Sequence, residues 1–336
     1  MVAFNLAAHN RLAGMSITTP ALLEVRAAVR KYLESIPTHH NILVGCSGGA
    51  DSLALTHALF LEAPSYNLTL IPVVVDHDLQ AGSADVAART VAELKSWGLV
   101  NIFTAKAQVV MNDGLEASAR RARYQIFEQA METFASSHFF LAHTLNDQAE
   151  SVLLGLARGS GTKSLSAMAD INGKYIRPLL SVNRTTTEAA CAEANISFWN
   201  DPHNQNQKFT RVRVRENILP IMERDLGPGI SQALARSAAI LREDAAALDQ
   251  WAEEGFAGFD PVSLDCQKLL EIPKAIRSRI LRLAIYAAGA PTGGLTAEHL
   301  APVEALITDW KGQGEISLPG GVKVSRFSGR LSLSNP

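Results

Sequence analysis

The chain has 336 residues, of which 47% are hydrophobic and 19% are charged, and its formal net charge is −2. This composition is typical of a globular protein of about two domains and excludes a chain that is basic throughout. No apolar run is long enough to cross a bilayer, so no membrane partner is expected. The three cysteines form no C-x-x-C pair, which argues against disulfides and structural zinc and favours the cytoplasm.

The first elements are predicted to be a helix and a strand. Residues 1–18 are expected to be a flexible N-terminus. Ala21–Leu33 places apolar residues on one helical face, and Ile42–Cys46 is a short apolar strand.

A glycine-rich motif follows this strand and carries the strongest functional signal. It reads Ser47-Gly48-Gly49-Ala50-Asp51-Ser52 and leads into a helical segment. A strand, a glycine turn and a helix N-terminus form an anion site, because free N–H groups and the helix dipole favour a phosphate. We therefore expect these six residues to bind a nucleotide and Asp51 to hold Mg²⁺. An ordinary Gly-Gly turn is the alternative, and the ending of a Walker P-loop is absent.

The next strand is predicted at Leu68–Val75, a β-branched run typical of a parallel strand buried on both faces. It ends in Asp76 and His77. Ligands of open α/β sheets gather beyond the C-terminal ends of strands, so both side chains are expected near the glycine loop. The alternative for His77 is a structural role at the strand end.

A helical segment beginning near Glu116 follows a short strand at 101–105. Arg120, Arg123 and Tyr124 share one face of this helix with Glu116. We expect Arg120 and Arg123 to bind phosphate or carboxylate, whereas an ordinary helix with Glu–Arg pairs is the alternative.

A fourth strand, Phe139–Ala142, ends in His143, and Asn146 is predicted to cap the next helix. Asp147 and Glu150 lie three residues apart in its first turn and therefore share a face. His143, Asp147 and Glu150 are predicted to be catalytic because they follow a strand of the same sheet as the glycine loop. Carboxylates there would alternatively only balance the helix dipole.

Two clusters of positive charge stand out against the net negative charge. The first contains Lys208, Arg211, Arg213 and Arg215. The second lies in a predicted helix at 275–288 and includes Arg277 and Arg279. Each is expected to contact nucleic acid, and a solvated helix surface is the alternative.

The periodic apolar residues of 230–252 predict one long helix. We therefore expect a catalytic domain at 19–225, a helical linker at 226–258 and a smaller α+β domain at 259–336. The latter should contain a second helix at 298–310 and β-like segments at 315–318, 322–327 and 330–333. The alternation of strands and helices before 225 predicts an α/β fold with a doubly wound, mostly parallel sheet.

Several motifs resemble those of known enzymes. Ser47–Ser52 resembles the signature of the PP-loop ATP-pyrophosphatases, whose fold is adenine nucleotide alpha hydrolase-like. Over residues 40–220 the chain resembles the tRNA(Ile)-lysidine synthetase family. That resemblance rests on the motif blocks 47–52, 75–77, 116–124, 141–151, 158–161, 177–180 and 201–220.

The resemblance implies a chemistry and its partners. ATP would adenylate the C2 oxygen of the wobble cytidine in a tRNA(Ile) with a CAU anticodon, and L-lysine would then displace AMP to give lysidine. It implies ATP and Mg²⁺ as cofactors and a C-terminal domain that binds tRNA. Asp147 or Glu150 would hold the lysine ammonium, and Arg211 or Arg215 would neutralise the leaving phosphate.

Two other functions are compatible with the fold. A PP-loop tRNA thiolase would share the nucleotide site and the tRNA, but Cys191 and Cys266 do not form the expected cysteine pair. A non-catalytic nucleotide-binding protein would keep the glycines without needing Asp147, Glu150 and the arginine cluster together.

Overall fold

The computed structural model describes residues 19–76, 82–107, 115–159, 161–200 and 207–335, with the backbone alone at 115–117. The chain forms two compact units, Met1–Ala239 and Ile240–Pro336. Their boundary falls within one long helix, Ile230–Phe256. Among the described residues, no helix is both long and apolar enough to span a membrane.

The N-terminal unit is built on a six-stranded sheet in the order β3-β2-β1-β4-β6-β5, in which only β5 runs antiparallel to its neighbour. The strands are β1 (Asn41–Gly45), β2 (Thr69–Asp76), β3 (Phe103–Lys106), β4 (Phe139–Phe140), β5 (Ile171–Asn172) and β6 (Tyr175–Ile176). The chain proceeds from β1 to β2 and β3 on one side and then returns to β4 on the other. The strand order therefore reverses at β1, where ligands bind in open α/β sheets.

Helices cover both faces of this sheet. The described helices between residues 19 and 256 are α1 (Pro20–Leu33), α2 (Ala50–Glu62), α3 (Ser83–Ser96), α4 (Leu115–Thr133), α5 (Leu145–Ala157), α6 (Thr162–Leu165), α7 (Arg184–Glu193), α8 (Thr210–Arg213), α9 (Leu219–Asp225) and α10 (Ile230–Phe256). Ile42 and Val44 pack with α1, α2 and α7, whereas Leu43 packs with Phe127 and Met131 of α4. Successive side chains of a strand point to opposite faces, so three consecutive apolar residues anchor β1 in two cores.

The C-terminal unit has an antiparallel four-stranded sheet in the order β7-β10-β9-β8. Its strands are β7 (Ser263–Asp265), β8 (Ile316–Ser317), β9 (Lys323–Phe327) and β10 (Arg330–Ser334). Its helices are α11 (Cys266–Glu271), α12 (Lys274–Ala287) and α13 (Ala297–Thr308). Leu264, Ile280 and Val303 lie in its apolar core.

The predicted fold class is confirmed: a mostly parallel sheet with helices, followed by a small α+β unit. One local prediction was wrong. Asn146 does not cap α5, because Thr144 occupies the N-cap position two residues earlier. β6 ends at Ile176, since Pro178 begins a 3₁₀ turn and cannot donate to a sheet. The short strand β7 was not predicted, because three residues show too little periodicity.

Candidate functional site

The glycine loop joins β1 to α2 in a conformation that only glycine fits well. Gly48 has φ +84°, and a Cβ placed there would lie 2.3 Å from Oγ1 of Thr90. Gly49 is the N-cap residue of α2. The backbone N–H of Trp199 donates to the carbonyl of Gly48 at 2.9 Å, so residues beyond α7 also brace the loop. The first turn of α2 thus presents N–H groups at the switch point of the sheet.

The two serines of the motif differ in what they contact. The Ser52 hydroxyl is buried, accepts from the backbone N–H of Ser47 at 3.1 Å and donates to the carbonyl of Gly49 at 2.9 Å. The Ser47 hydroxyl lies 3.2 Å from it. Ser52 therefore stabilises the loop through hydrogen bonds to its backbone, whereas Ser47 is exposed at the cavity.

A cavity of about 590 Å³ opens above the loop, a volume suited to a nucleotide-sized ligand. Its wall includes five arginines, Arg120, Arg123, Arg184, Arg211 and Arg215, against three aspartates, Asp51, Asp76 and Asp147. The cavity is therefore locally positive although the whole chain carries −2. It gathers the predicted loop, the end of β2 and the residues after β4 in one place.

Asp51 lies in the first turn of α2 and faces this cavity. Its Oδ1 accepts a 2.5 Å hydrogen bond from Oγ1 of Thr187 on α7. Burial raises the pKa of Asp51, and this outweighs the opposite effect of the Thr187 hydrogen bond and of Arg184. A bound cation would offset the energetic cost of burying this charge and would keep the carboxylate ionised.

Asp147 and His143 stand side by side after β4. Oδ2 of Asp147 accepts from the backbone N–H of Thr144 at 2.8 Å, which caps α5. Burial raises the pKa of Asp147, but the charge of Arg211 and other neighbours outweighs it, so the pKa is below its usual value. Burial lowers the pKa of His143 to about 4, and its Nδ1 has no hydrogen-bond partner in the described structure. His143 is thus a neutral imidazole beside an ionised carboxylate.

Glu150 lies one turn further along α5 and is completely buried. Its Oε2 accepts from Nε of Arg211 at 2.6 Å, and its Oε1 accepts from Nε of Arg215 at 2.6 Å. Both arginines also lie near Oδ1 of Asp147, at 3.4 and 3.6 Å. With both oxygens engaged, Glu150 fixes two arginines whose guanidinium groups line the cavity.

The backbone around these arginines is unusual. α8 continues directly into a π-helical turn, Val214–Ile218, before α9 begins. π-helical turns are rare in proteins as a whole, and those that occur are often found at functional sites. Arg211 lies on α8 and Arg215 on the π-helical turn, so the two arginines that contact Glu150 stand on either side of this junction.

The predicted face of α4 also reaches the cavity. The guanidinium of Arg120 lies 5.0 Å from the ring centre of Tyr124, and Arg123 lines the wall nearby. Nothing is described of the Glu116 side chain. Asp76 lines the cavity as expected, whereas His77 lies outside the described residues.

Among the described residues, Lys208 and Arg213 are not part of the cavity wall, and Arg277 and Arg279 belong to the C-terminal unit. Lys208 is exposed, and Arg213 donates to the carbonyl of Gln207 at 2.8 Å. Arg279 pairs with Asp249 at 2.7 Å. Arg277 requires a correction: it is buried, and its Nη2 lies 2.6 Å from Oε1 of Glu304.

Arg277 also donates to the carbonyls of Leu269 and Ile272, at 3.3 and 3.1 Å. A guanidinium with these partners joins α12 to its neighbours and is not presented to a phosphate. The sequence pattern could not distinguish Arg277 from a surface arginine, because the carboxylate and the carbonyls that contact it belong to other parts of the chain.

Sequence reasoning missed three residues that line the cavity, namely Arg184 on α7 and the aromatic residues Trp199 and Phe209. It also missed Thr187 on α7, which is buried and hydrogen-bonds to Asp51. The sequence contained only a weak signal for these residues. Arg184 and Thr187 lie three residues apart and so share a helical face, but no charge pattern marked that face as functional.

The residues of the cavity fit a magnesium ion that is shared with a substrate. The described residues contain no cluster of three or more potential metal-binding side chains. Mg²⁺ is commonly held by one or two carboxylates together with substrate phosphates and water. Asp51, whose Oδ2 makes no hydrogen bond to the described residues, supplies such a ligand.

These features define a class: a nucleotide-binding α/β domain with its phosphate loop at the switch point of a parallel sheet. A family model described as a PP-loop domain matches residues 19–222, and one described as a TilS substrate binding domain matches residues 264–332. The chain belongs to the tRNA(Ile)-lysidine synthase family.

Two relatives illustrate this membership. A tRNA(Ile)-lysidine synthase of Thermobifida fusca (strain YX) is 45% identical over 322 residues, covering 95% of this chain and 99% of that protein. One of Streptomyces coelicolor (strain ATCC BAA-471 / A3(2) / M145) is 46% identical over 303 residues, covering 89% and 86%.

The solved structure of a U34-tRNA thiolase, NcsA from Methanococcus maripaludis, with its [4Fe-4S] cluster, is also similar. Its TM-score is 0.54 with 19% identity, over 66% of this chain and 80% of that one. At this identity the likeness concerns the fold alone. The thiolase alternative is not favoured beside relatives that are far more similar.

Proposed function

We propose that this protein is an ATP-dependent ligase that joins L-lysine to C2 of the wobble cytidine of a tRNA(Ile) with a CAU anticodon. The observation that carries the proposal is the joint presence, in one cavity, of a phosphate loop, fixed arginines and an ionised aspartate. The membership of both halves of the chain in the tRNA(Ile)-lysidine synthase family supports it.

The first step forms a bond between the cytidine C2 oxygen and the α-phosphorus of ATP and releases pyrophosphate. The N-terminal turn of α2 would receive the phosphates, and Asp51 would hold Mg²⁺ against them. Mg²⁺ supplies charge neutralisation for the leaving pyrophosphate. Arg211 and Arg215, already oriented by Glu150, stabilise the charge that develops there without needing to reorganise.

The second step joins the lysine ε-amine to C2 and releases AMP. Freeing that amine of its proton at neutral pH costs roughly 4–5 kcal/mol. Of the two carboxylates predicted to hold lysine, Glu150 is buried and engaged by two arginines. Asp147 is therefore the better candidate, since it lines the cavity and its pKa is lowered. His143 would stay neutral and accept or donate one hydrogen bond.

The test is to incubate the protein with ATP, labelled lysine and separate tRNAs. We expect lysine to enter tRNA(Ile) with a CAU anticodon alone, with one pyrophosphate and one AMP released per lysine. Asp51→Ala should keep the fold, judged by circular dichroism, and lose pyrophosphate release. Label in every tRNA, or normal turnover by that variant, would contradict the proposal.

A further inference from the structure

Helix α7 presents one face to the glycine loop through three residues on successive turns. Thr187 is completely buried, and its hydroxyl reaches Asp51. The Cys191 thiol lies 3.4 Å from the carbonyl of Ala50. Arg184, at the start of the helix, lines the cavity beside them. Residues three and seven apart lie on one helical face, so this contact is continuous.

The placement of this face is itself fixed by the catalytic side of the cavity. The backbone N–H of Arg184 donates to Oδ1 of Asn146 on α5 at 3.0 Å. Asn146 directly precedes Asp147 at the start of α5. The hydrogen bond from Arg184 therefore joins the start of α7 to the start of α5. The side chain of Arg184 pairs with Glu188 at 3.1 Å and remains half-buried at the cavity wall.

The Thr187 hydroxyl has one proton and two acceptors within reach. The carbonyl of Arg184 lies 2.7 Å away, and Oδ1 of Asp51 lies 2.5 Å away. An ionised carboxylate is the stronger acceptor. The hydrogen bond therefore fixes Oδ1 of Asp51, whose side chain lines the cavity.

We propose that α7 forms a second wall of the nucleotide site, in which Thr187 positions Asp51 and Arg184 binds the phosphates of ATP. This inference rests on the proposed use of ATP. Thr187 is a positioning residue because it acts through Asp51, whereas Arg184 would contact the substrate itself. Groups that orient a metal-binding carboxylate typically change metal affinity about 10- to 100-fold when they are removed.

The first test measures binding, without turnover, by the full-length protein. Binding of Mn²⁺ in the presence of ATP is followed by electron paramagnetic resonance for wild type and for Thr187→Val, Thr187→Ser and Thr185→Val. We expect Thr187→Val to weaken Mn²⁺ binding about 10-fold or more and Thr187→Ser to restore it. Thr185→Val is the matched control, because Thr185 is exposed on the same helix.

The second test examines Arg184. Arg184→Gln should weaken ATP binding about 10-fold and leave adenosine binding unchanged, because only ATP has phosphates. Arg89→Gln, an exposed arginine of α3, is the control. Equal Mn²⁺ affinities in wild type, Thr187→Val and Thr185→Val, or unchanged ATP affinity in Arg184→Gln, would overturn this inference alone. A wild-type protein that binds no ATP would overturn the proposed function as well.

Discussion

Nε of Arg211 lies 2.6 Å from Oε2 of Glu150, and Glu150 is completely buried. Arg215 makes the same contact with the other oxygen of Glu150. A buried carboxylate between two arginines holds them in place only as long as its charge persists, because each partner compensates the desolvation of the others.

We predict that Glu150→Gln destabilises the N-terminal unit by about 3–5 kcal/mol, because it leaves two arginines without their buried counter-ion. Urea unfolding measures the change. Glu188→Gln is the control: its pair with Arg184 is half-exposed, so about 0–1 kcal/mol is expected. Equal stability losses in the two variants would contradict a structural role for Glu150.

Asp147→Asn is expected to separate the two half-reactions. The variant should still release pyrophosphate but transfer lysine about 100-fold more slowly, because the ammonium loses its ionised partner. The measurement compares pyrophosphate release with lysine incorporation in single-turnover experiments. Asp147 also caps α5, so a thermal unfolding scan must show that the variant is folded. Equal loss of both steps would remove the lysine assignment.

Gly48→Ala should disrupt the loop beyond the effect of backbone strain. A positive φ alone costs an alanine about 1–2 kcal/mol. At Gly48 the new Cβ would also meet Oγ1 of the buried Thr90. Gly98→Ala is the control, since Gly98 has φ +96° and open space around it. We expect only Gly48→Ala to abolish ATP binding, and Thr90→Ala added to it should restore part of the lost stability.

Arg277→Gln is predicted to destabilise the C-terminal unit by about 3–5 kcal/mol, because its pair with Glu304 is almost fully buried. Lys274→Gln, exposed at the start of the same helix, is the stability control. tRNA affinity measured against salt should keep its slope in Arg277→Gln, since a residue that contacts no phosphate releases no counterion. A slope reduced by about 1 would restore the original assignment of Arg277.

His57 is expected to make stability depend on pH. Burial against Trp97 and Phe60 lowers the pKa of His57 to about 4, from an ordinary value near 6.5. Between these values the unfolded chain binds more protons than the folded one. The free energy of unfolding therefore falls as pH drops from 6.5 to 4, by up to about 3 kcal/mol from this residue.

The measurement is urea unfolding from pH 4 to 7 for wild type and His57→Phe. The difference between them isolates the contribution of His57 from that of the carboxylates. Parallel curves for wild type and His57→Phe would contradict the prediction.

The sequence by itself determined the fold class and the position of the phosphate loop. It also determined that Asp51, His143 and Asp147 line one cavity. These features depend on local rules. Consecutive β-branched residues form buried strands, glycines allow a tight turn, and parallel strands bring their C-terminal ends to one edge. Short-range pattern therefore suffices to place them.

Only the tertiary structure decided which charged side chains are available to a ligand. Asp147 and Glu150 look equivalent in the sequence, yet one lines the cavity and the other lies beneath two arginines. Arg277 resembles a surface arginine until Glu304, 27 residues away, is placed beside it. The physical reason is that the availability of a charge depends on burial and on partners from distant elements, which residue spacing does not record.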